Sequence, residues 1–83
     1  MTITVNVTER DIAFGTRNAC EYCPIARALA RAIDGKPSVH LSYAMIGESR
    51  YNLPREAIQF VVDFDAGLPV RPLSFTLSEE DRQ

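Results

Sequence analysis

Two cysteines three positions apart, Cys20 and Cys23, stand immediately before Pro24 and an alanine-rich amphipathic stretch. Thiols at that spacing and place have three uses. A helix N-terminus favours the thiolate through its unpaired amides and its dipole, which suits redox work. The same pair supplies two of the four ligands of a structural zinc site. Alternatively, free cysteines pack as small hydrophobes at the helix entrance.

Each use makes its own demand on the chain. Thioredoxin-like chemistry goes with a strand linked closely to C-x-x-C and a helix. Here Thr8 to Ala19 intervene between the opening strand and Cys20, and the motif contains no tryptophan or Gly-Pro pair. Zinc needs two more ligands. His40 is the only histidine, and strand parity sets it on the open face of the sheet, away from the helices, so a second pair would have to come from another subunit. Packing demands nothing further and is favoured. It makes Cys20 a small, partly buried residue and Cys23 a residue of the helix entrance, and it assigns no catalytic residue, metal or cofactor.

Other chemistry-bearing residues are isolated in the sequence. No Ser or Cys is tied to His40 by spacing, so a nucleophile triad is unsupported. Asp63 and Asp65 flank Phe64 near the negative end of a helix, where a solvated face is the favoured reading over a cation or arginine site. Tyr22, Tyr43 and Tyr51 suit base stacking, but an RNA-binding sheet of this type needs aromatics on the open face of its central strands. The first strand offers Thr and Asn there, and Tyr51 faces inward by parity.

Net charge is −2, with one lysine, Lys36, and eight scattered arginines. That balance speaks against nucleic-acid binding, which rests on clustered cations. No apolar run approaches the ~18–20 residues of a membrane span, and Met1 to Val5 lack the features of a signal peptide. The 83 residues suffice for one domain, 1–83, and a cytoplasmic setting with reduced thiols is the default.

Positioning these residues falls to a short list of elements. Thr2 to Val7 alternates as a half-buried strand. Thr8 to Asp11 reads as an N-cap with an acid at N3, opening a short helical turn that stops at Gly15. A helix with Pro24 at N1 runs to about Asp34, with Ile25, Ala28, Leu29, Ala32 and Ile33 as its apolar stripe and Arg27 and Arg31 opposite. Val39 to Ile46 is a second strand with Val39, Leu41, Tyr43 and Met45 on one face. Arg50 to Leu53 is a short third strand. Pro54 opens a helix with Ala57, Ile58, Val61, Val62 and Phe64 toward the core. Leu73 to Leu77 is the last strand, and Ser78 to Gln83 a frayed tail. The order predicts an α+β, ferredoxin-like β-α-β-β-α-β domain: a four-stranded antiparallel sheet, first and third strands central, both helices on one face. A three-strand sheet is the alternative. The open face then carries Thr2, Thr4, Asn6, His40, Ser42, Arg50, Asn52, Ser74 and Thr76.

The stretch Ile3-Thr4-Val5-x-Val7-Thr8, then Ile12, Gly15, Cys20-x-x-Cys23-Pro24-Ile25-Ala26-x-Ala28-Leu29, and later Leu53-Pro54-x-Glu56 with Phe64-Asp65-x-Gly67-x-Pro69, resembles a group of small bacteriophage and actinobacterial proteins. The resemblance covers nearly the whole chain. It implies a phage or prophage origin and carries over no catalytic residue. The expectation is therefore a small, non-enzymatic accessory protein, monomeric or homodimeric, that binds a protein partner (a host factor or itself) through its open face: Thr4, Asn6, His40, Ser42, Arg50, Asn52, Ser74 and Thr76. The alternative is a thiol redox or zinc module built on Cys20 and Cys23.

Overall fold

Strict alternation makes β1 (Thr2–Val7) a half-buried strand, with Ile3, Val5 and Val7 in the core and Thr2, Thr4 and Asn6 in solvent. The computed structural model describes residues 2–33 and 35–79. After β1 come α1 (Glu9–Phe14), α2 (Pro24–Ala32), β2 (Ser38–Val39), β3 (Tyr43–Ile46), β4 (Ser49–Asn52), α3 (Arg55–Asp65) and β5 (Leu73–Glu79).

The class is α+β, but the four-stranded ferredoxin-like sheet is not what forms. The described strands make one five-stranded antiparallel sheet in the order β1-β5-β4-β3-β2. β1, expected in the middle, is an edge strand. Pairing length supplies the reason. β4 is four residues long and, among the described residues, meets β5 at Tyr51↔Glu79 and Asn52↔Ser78. β5 matches β1 along its whole length, from Thr2↔Ser78 to Val7↔Leu73. The last strand therefore lies between the first strand and a local meander, and β1 has no parallel neighbour.

The fifth strand arises because Val39 to Ile46 is broken by a tight turn. His40 N donates to Tyr43 O at 2.7 Å, and Val39 pairs with Ala44. Three turn residues reverse the expected parity of Tyr43 to Ile46. Ala44 is buried, Leu41 is exposed, and Tyr43 and Met45 share the open side with their ladder neighbours Asn52 and Arg50. His40 and Ser42 thus belong to a turn, not to a strand face.

One core cluster joins the inner residues of β1, β4 and β5 to α2 (Ile25, Ala26, Ala28, Leu29) and α3 (Ala57, Phe60, Val61, Phe64). Both helices therefore cover the same face of the sheet. Ala32 and Val62, expected in the apolar stripes, are exposed, and Phe60 takes a core place instead. α2 stops at Ala32, with Ile33 already extended; the expected last helical residue, Asp34, lies outside the described residues. The tail expected to fray from Ser78 is part of β5 through Glu79, and residues 80–83 lie outside the described residues.

The chain enters α2 through a close contact. A Cβ on Gly15 would come within 2.6 Å of Pro24 Cδ and 2.8 Å of the Asp11 carbonyl oxygen. Only a glycine lets the end of α1 pass so near the start of α2.

Candidate functional site

Pro24 occupies the first turn of α2 and Cys23 is its N-cap; the Cys23 Sγ accepts from Ala26 N at 3.4 Å. Proline fits there because the amide it lacks would be unpaired in any case. The Cys23 side chain is 6 % exposed. Burial pushes its thiol above the usual range, opposed by the amides of Ala26 and Ile25. This is the packing role foreseen for Cys23.

Cys20 differs from expectation. It is exposed, not partly buried, and sits on a loop fastened at several points. Tyr22 N and Cys23 N both donate to Ala19 O, and Thr16 N donates to Tyr22 O. Asn18 adopts a left-handed conformation, φ 56°, which asparagine tolerates better than most residues. Its amide donates to Asp65 Oδ1 of α3 at 2.9 Å. Finally, Val39 N donates to Cys20 O at 2.7 Å, tying the loop to β2.

That last bond carries the residue after Val39 to the thiol. His40 Nδ1 lies 4.0 Å from Cys20 Sγ, and His40 Nε2 lies 3.1 Å from Ser38 Oγ. Strand parity had set His40 on the open face, away from the helices, with neither Ser nor Cys beside it. The turn gives it both. The His40 ring also stacks on Tyr43 at 4.7 Å, and the Arg50 guanidinium carbon lies 4.0 Å from the centre of the Tyr43 ring. Cys20, Cys23, His40, Leu41, Asn18 and Asp65 line a cleft of about 290 Å³. Among the described residues no group of three or more His, Cys, Asp or Glu side chains is placed to hold a metal ion.

The remaining expected surface residues are where parity put them. Thr4, Asn6, Arg50, Asn52, Ser74 and Thr76 are exposed. Thr4 pairs with Thr76 and Asn6 with Ser74, whose hydroxyl donates to Asn6 Oδ1 at 2.7 Å. Ser42 is exposed in the turn, and its carbonyl accepts from Leu53 N. Asp65, read as part of a solvated face, is an anchor for the Asn18 loop, while Asp63 accepts from Gln59 Nε2.

One polar cluster was only half legible. Thr8 and Asp11 form the expected capping box, but Asp11 is 1 % exposed and receives both ends of the Arg31 guanidinium, at 2.8 and 2.7 Å. Arg31 also donates to Asn6 O of β1 at 2.9 Å. Arg27 Nε approaches Asp11 Oδ1 at 3.7 Å, within ion-pair reach but without a hydrogen bond. Arg31 above all, helped by the Thr8 amide and hydroxyl, holds the Asp11 carboxyl down to about 2 against the opposing effect of burial. The signal in the sequence was Arg27 and Arg31, one helical turn apart on the polar face of α2, facing a capping acid on α1.

Among the described residues no helix is long and apolar enough to cross a membrane. No protein-family model, no curated protein and no solved structure matches this chain, which leaves its own geometry to carry the functional reading.

Proposed function

We propose that this is a small, non-enzymatic, protein-binding module of the phage accessory type, working in the cytoplasm, and that it binds by strand addition at the edge of β1. The carrying observation is that, among the described residues, β1 pairs on one side only. Sheet edges are normally guarded by charge, proline, a bulge or a covering element. The β1 sequence, Thr-Ile-Thr-Val-Asn-Val, has no charge and no proline, and its register with β5 runs without a bulge. Arg31 covers the carbonyl of Asn6. By the alternation of an antiparallel strand, Thr2 and Thr4 direct their backbone groups to the same outer edge.

The partner that fits this edge is β1 of a second copy. An antiparallel pair centred on Ile3 sets Thr2 of one copy against Thr4 of the other. That register stays clear of the Asn6 carbonyl, brings no like charges together, and continues the apolar face with Ile3 beside Ile3. It also joins two hydroxyl-rich faces, each carrying Thr4, Asn6, Ser74 and Thr76, into one.

Thr4→Pro tests this. Proline removes the amide directed outward while leaving the β1–β5 ladder its bonds, at a stability cost of about 1 kcal/mol. Sedimentation velocity at roughly tens of micromolar should show a dimer for the wild type and a monomer for Thr4→Pro. A wild type that sediments as a monomer, or a variant that still dimerises, overturns the reading.

A further inference from the structure

The geometry points to Cys20 as a thiol that exchanges with small-molecule disulfides, with His40 as the group that takes and returns its proton and Ser38 as the residue that holds the imidazole. This site is separate from the β1 edge. Three observations carry it. First, Cys20 is exposed while Cys23, three residues on, is buried and caps α2. Second, both nitrogens of His40 are directed to specific groups, Nδ1 to Cys20 Sγ at 4.0 Å and Nε2 to Ser38 Oγ at 3.1 Å. A nucleophile, a base within reach and a third group orienting that base is the arrangement that activates weak nucleophiles. Third, the thiol opens into a cleft of about 290 Å³, room for a reagent of several heavy atoms.

The chemistry balances without any further oxidant. With Nε2–H donated to Ser38, the Nδ1 lone pair faces the thiol and accepts its proton. The Cys20 thiolate attacks one sulfur of the disulfide. A new S–S bond forms at Cys20 as the reagent's own S–S bond breaks. The departing thiolate takes the proton from the imidazolium and leaves as a thiol. Cys20 is thereby oxidised to a mixed disulfide and one reagent sulfur is reduced. Among the described residues the other titratable groups lining the cleft are Cys23 and Asp65. Asp65 is engaged by the Asn18 amide, and Cys23 is held as a thiol by burial, which leaves His40 as the proton acceptor beside Cys20.

The test uses the full chain with bis(2-hydroxyethyl) disulfide, an uncharged probe, followed by mass spectrometry across about pH 5 to 9. The adduct should form first on Cys20. His40→Gln should lower the rate near neutral pH about tenfold, the loss expected when a thiolate-stabilising neighbour is removed. It should also change the pH–rate profile, since the proton acceptor is gone. Ser38→Ala should give a smaller loss in the same direction, and it decides the matter if His40→Gln does not fold. Cys23→Ser should still react at Cys20. Wild-type rates and an unshifted pH profile in both His40→Gln and Ser38→Ala overturn the proposal, as does first reaction at Cys23.

Discussion

Two polar clusters sit at opposite ends of α2, and they are built in opposite ways. At the C-terminal end Asp11 is almost wholly buried, and its two oxygens receive the Thr8 amide, the Thr8 hydroxyl and both arms of Arg31. At the N-terminal end Cys20 is exposed, its sulfur meets one nitrogen of His40 at long range, and its other side opens into the cleft. A buried acceptor that is saturated has nothing left to offer a ligand and works entirely for the fold. A group with one partner and free access is available for chemistry. Charge alone would have pointed to Asp11 as the functional residue; access and saturation point to Cys20.

That contrast can be broken at four points. Gly15→Ala carries the largest expected effect. Its new Cβ meets the Pro24 ring and the Asp11 carbonyl at 2.6 to 2.8 Å. Because Gly15 links the two clusters, the variant should lose about 3 kcal/mol in urea unfolding. Wild-type stability would mean that α1 and α2 can move apart freely.

Asp11→Ala comes next, at about 2–3 kcal/mol, from the lost cap and ion pair. Cys20 exchange in the variant should run at the wild-type rate under conditions where it remains folded. A fall in that rate would show that the two clusters are coupled.

Acid probes the same carboxylate without mutation. The folded pKa of Asp11, about 2, lies below the ordinary aspartate value of 3.8. The folded state therefore holds that proton less readily than the unfolded chain. Its contribution, about 2 kcal/mol, is complete above roughly pH 5 and is lost as the pH falls through 4 toward 2. Asp11→Asn should flatten this part of the stability–pH curve, and an unchanged slope would assign the acid sensitivity to other carboxylates.

The smallest effect on stability belongs to His40→Gln, within about 0.5 kcal/mol, since the ring lies in a partly exposed turn. Its effect should appear in the reactivity of Cys20. A loss near that of Asp11→Ala would make His40 a structural residue and erase the contrast.

The local features were the most legible in the sequence. The alternation of β1, the capping box at Thr8 and Pro24 at N1 each depend on a few neighbouring residues, and the structure contains all three. The open face at Thr4, Asn6, Ser74 and Thr76 came from parity, because a regular strand cannot turn one residue without turning all of them. Parity failed at Tyr43 for the same reason in reverse. A turn of three residues resets the count, so Leu41 and Tyr43 went outward and Ala44 inward. A run such as Val39 to Ile46, apolar at nearly every other position, reads as one strand until its own pairing breaks it.

The amino-acid order by itself determined where β1, β5 and the helices begin, which side of β1 and β5 is dry, and that Cys23 stands at the mouth of α2, because these rest on interactions within a few positions. Tertiary structure decided the rest. It made β1 an edge, by setting β5 between it and β4. It put Arg31 on Asp11 and His40 beside Cys20, because packing the helices on the sheet and bonding Val39 to Cys20 joins groups twenty residues apart, a proximity that no local rule encodes.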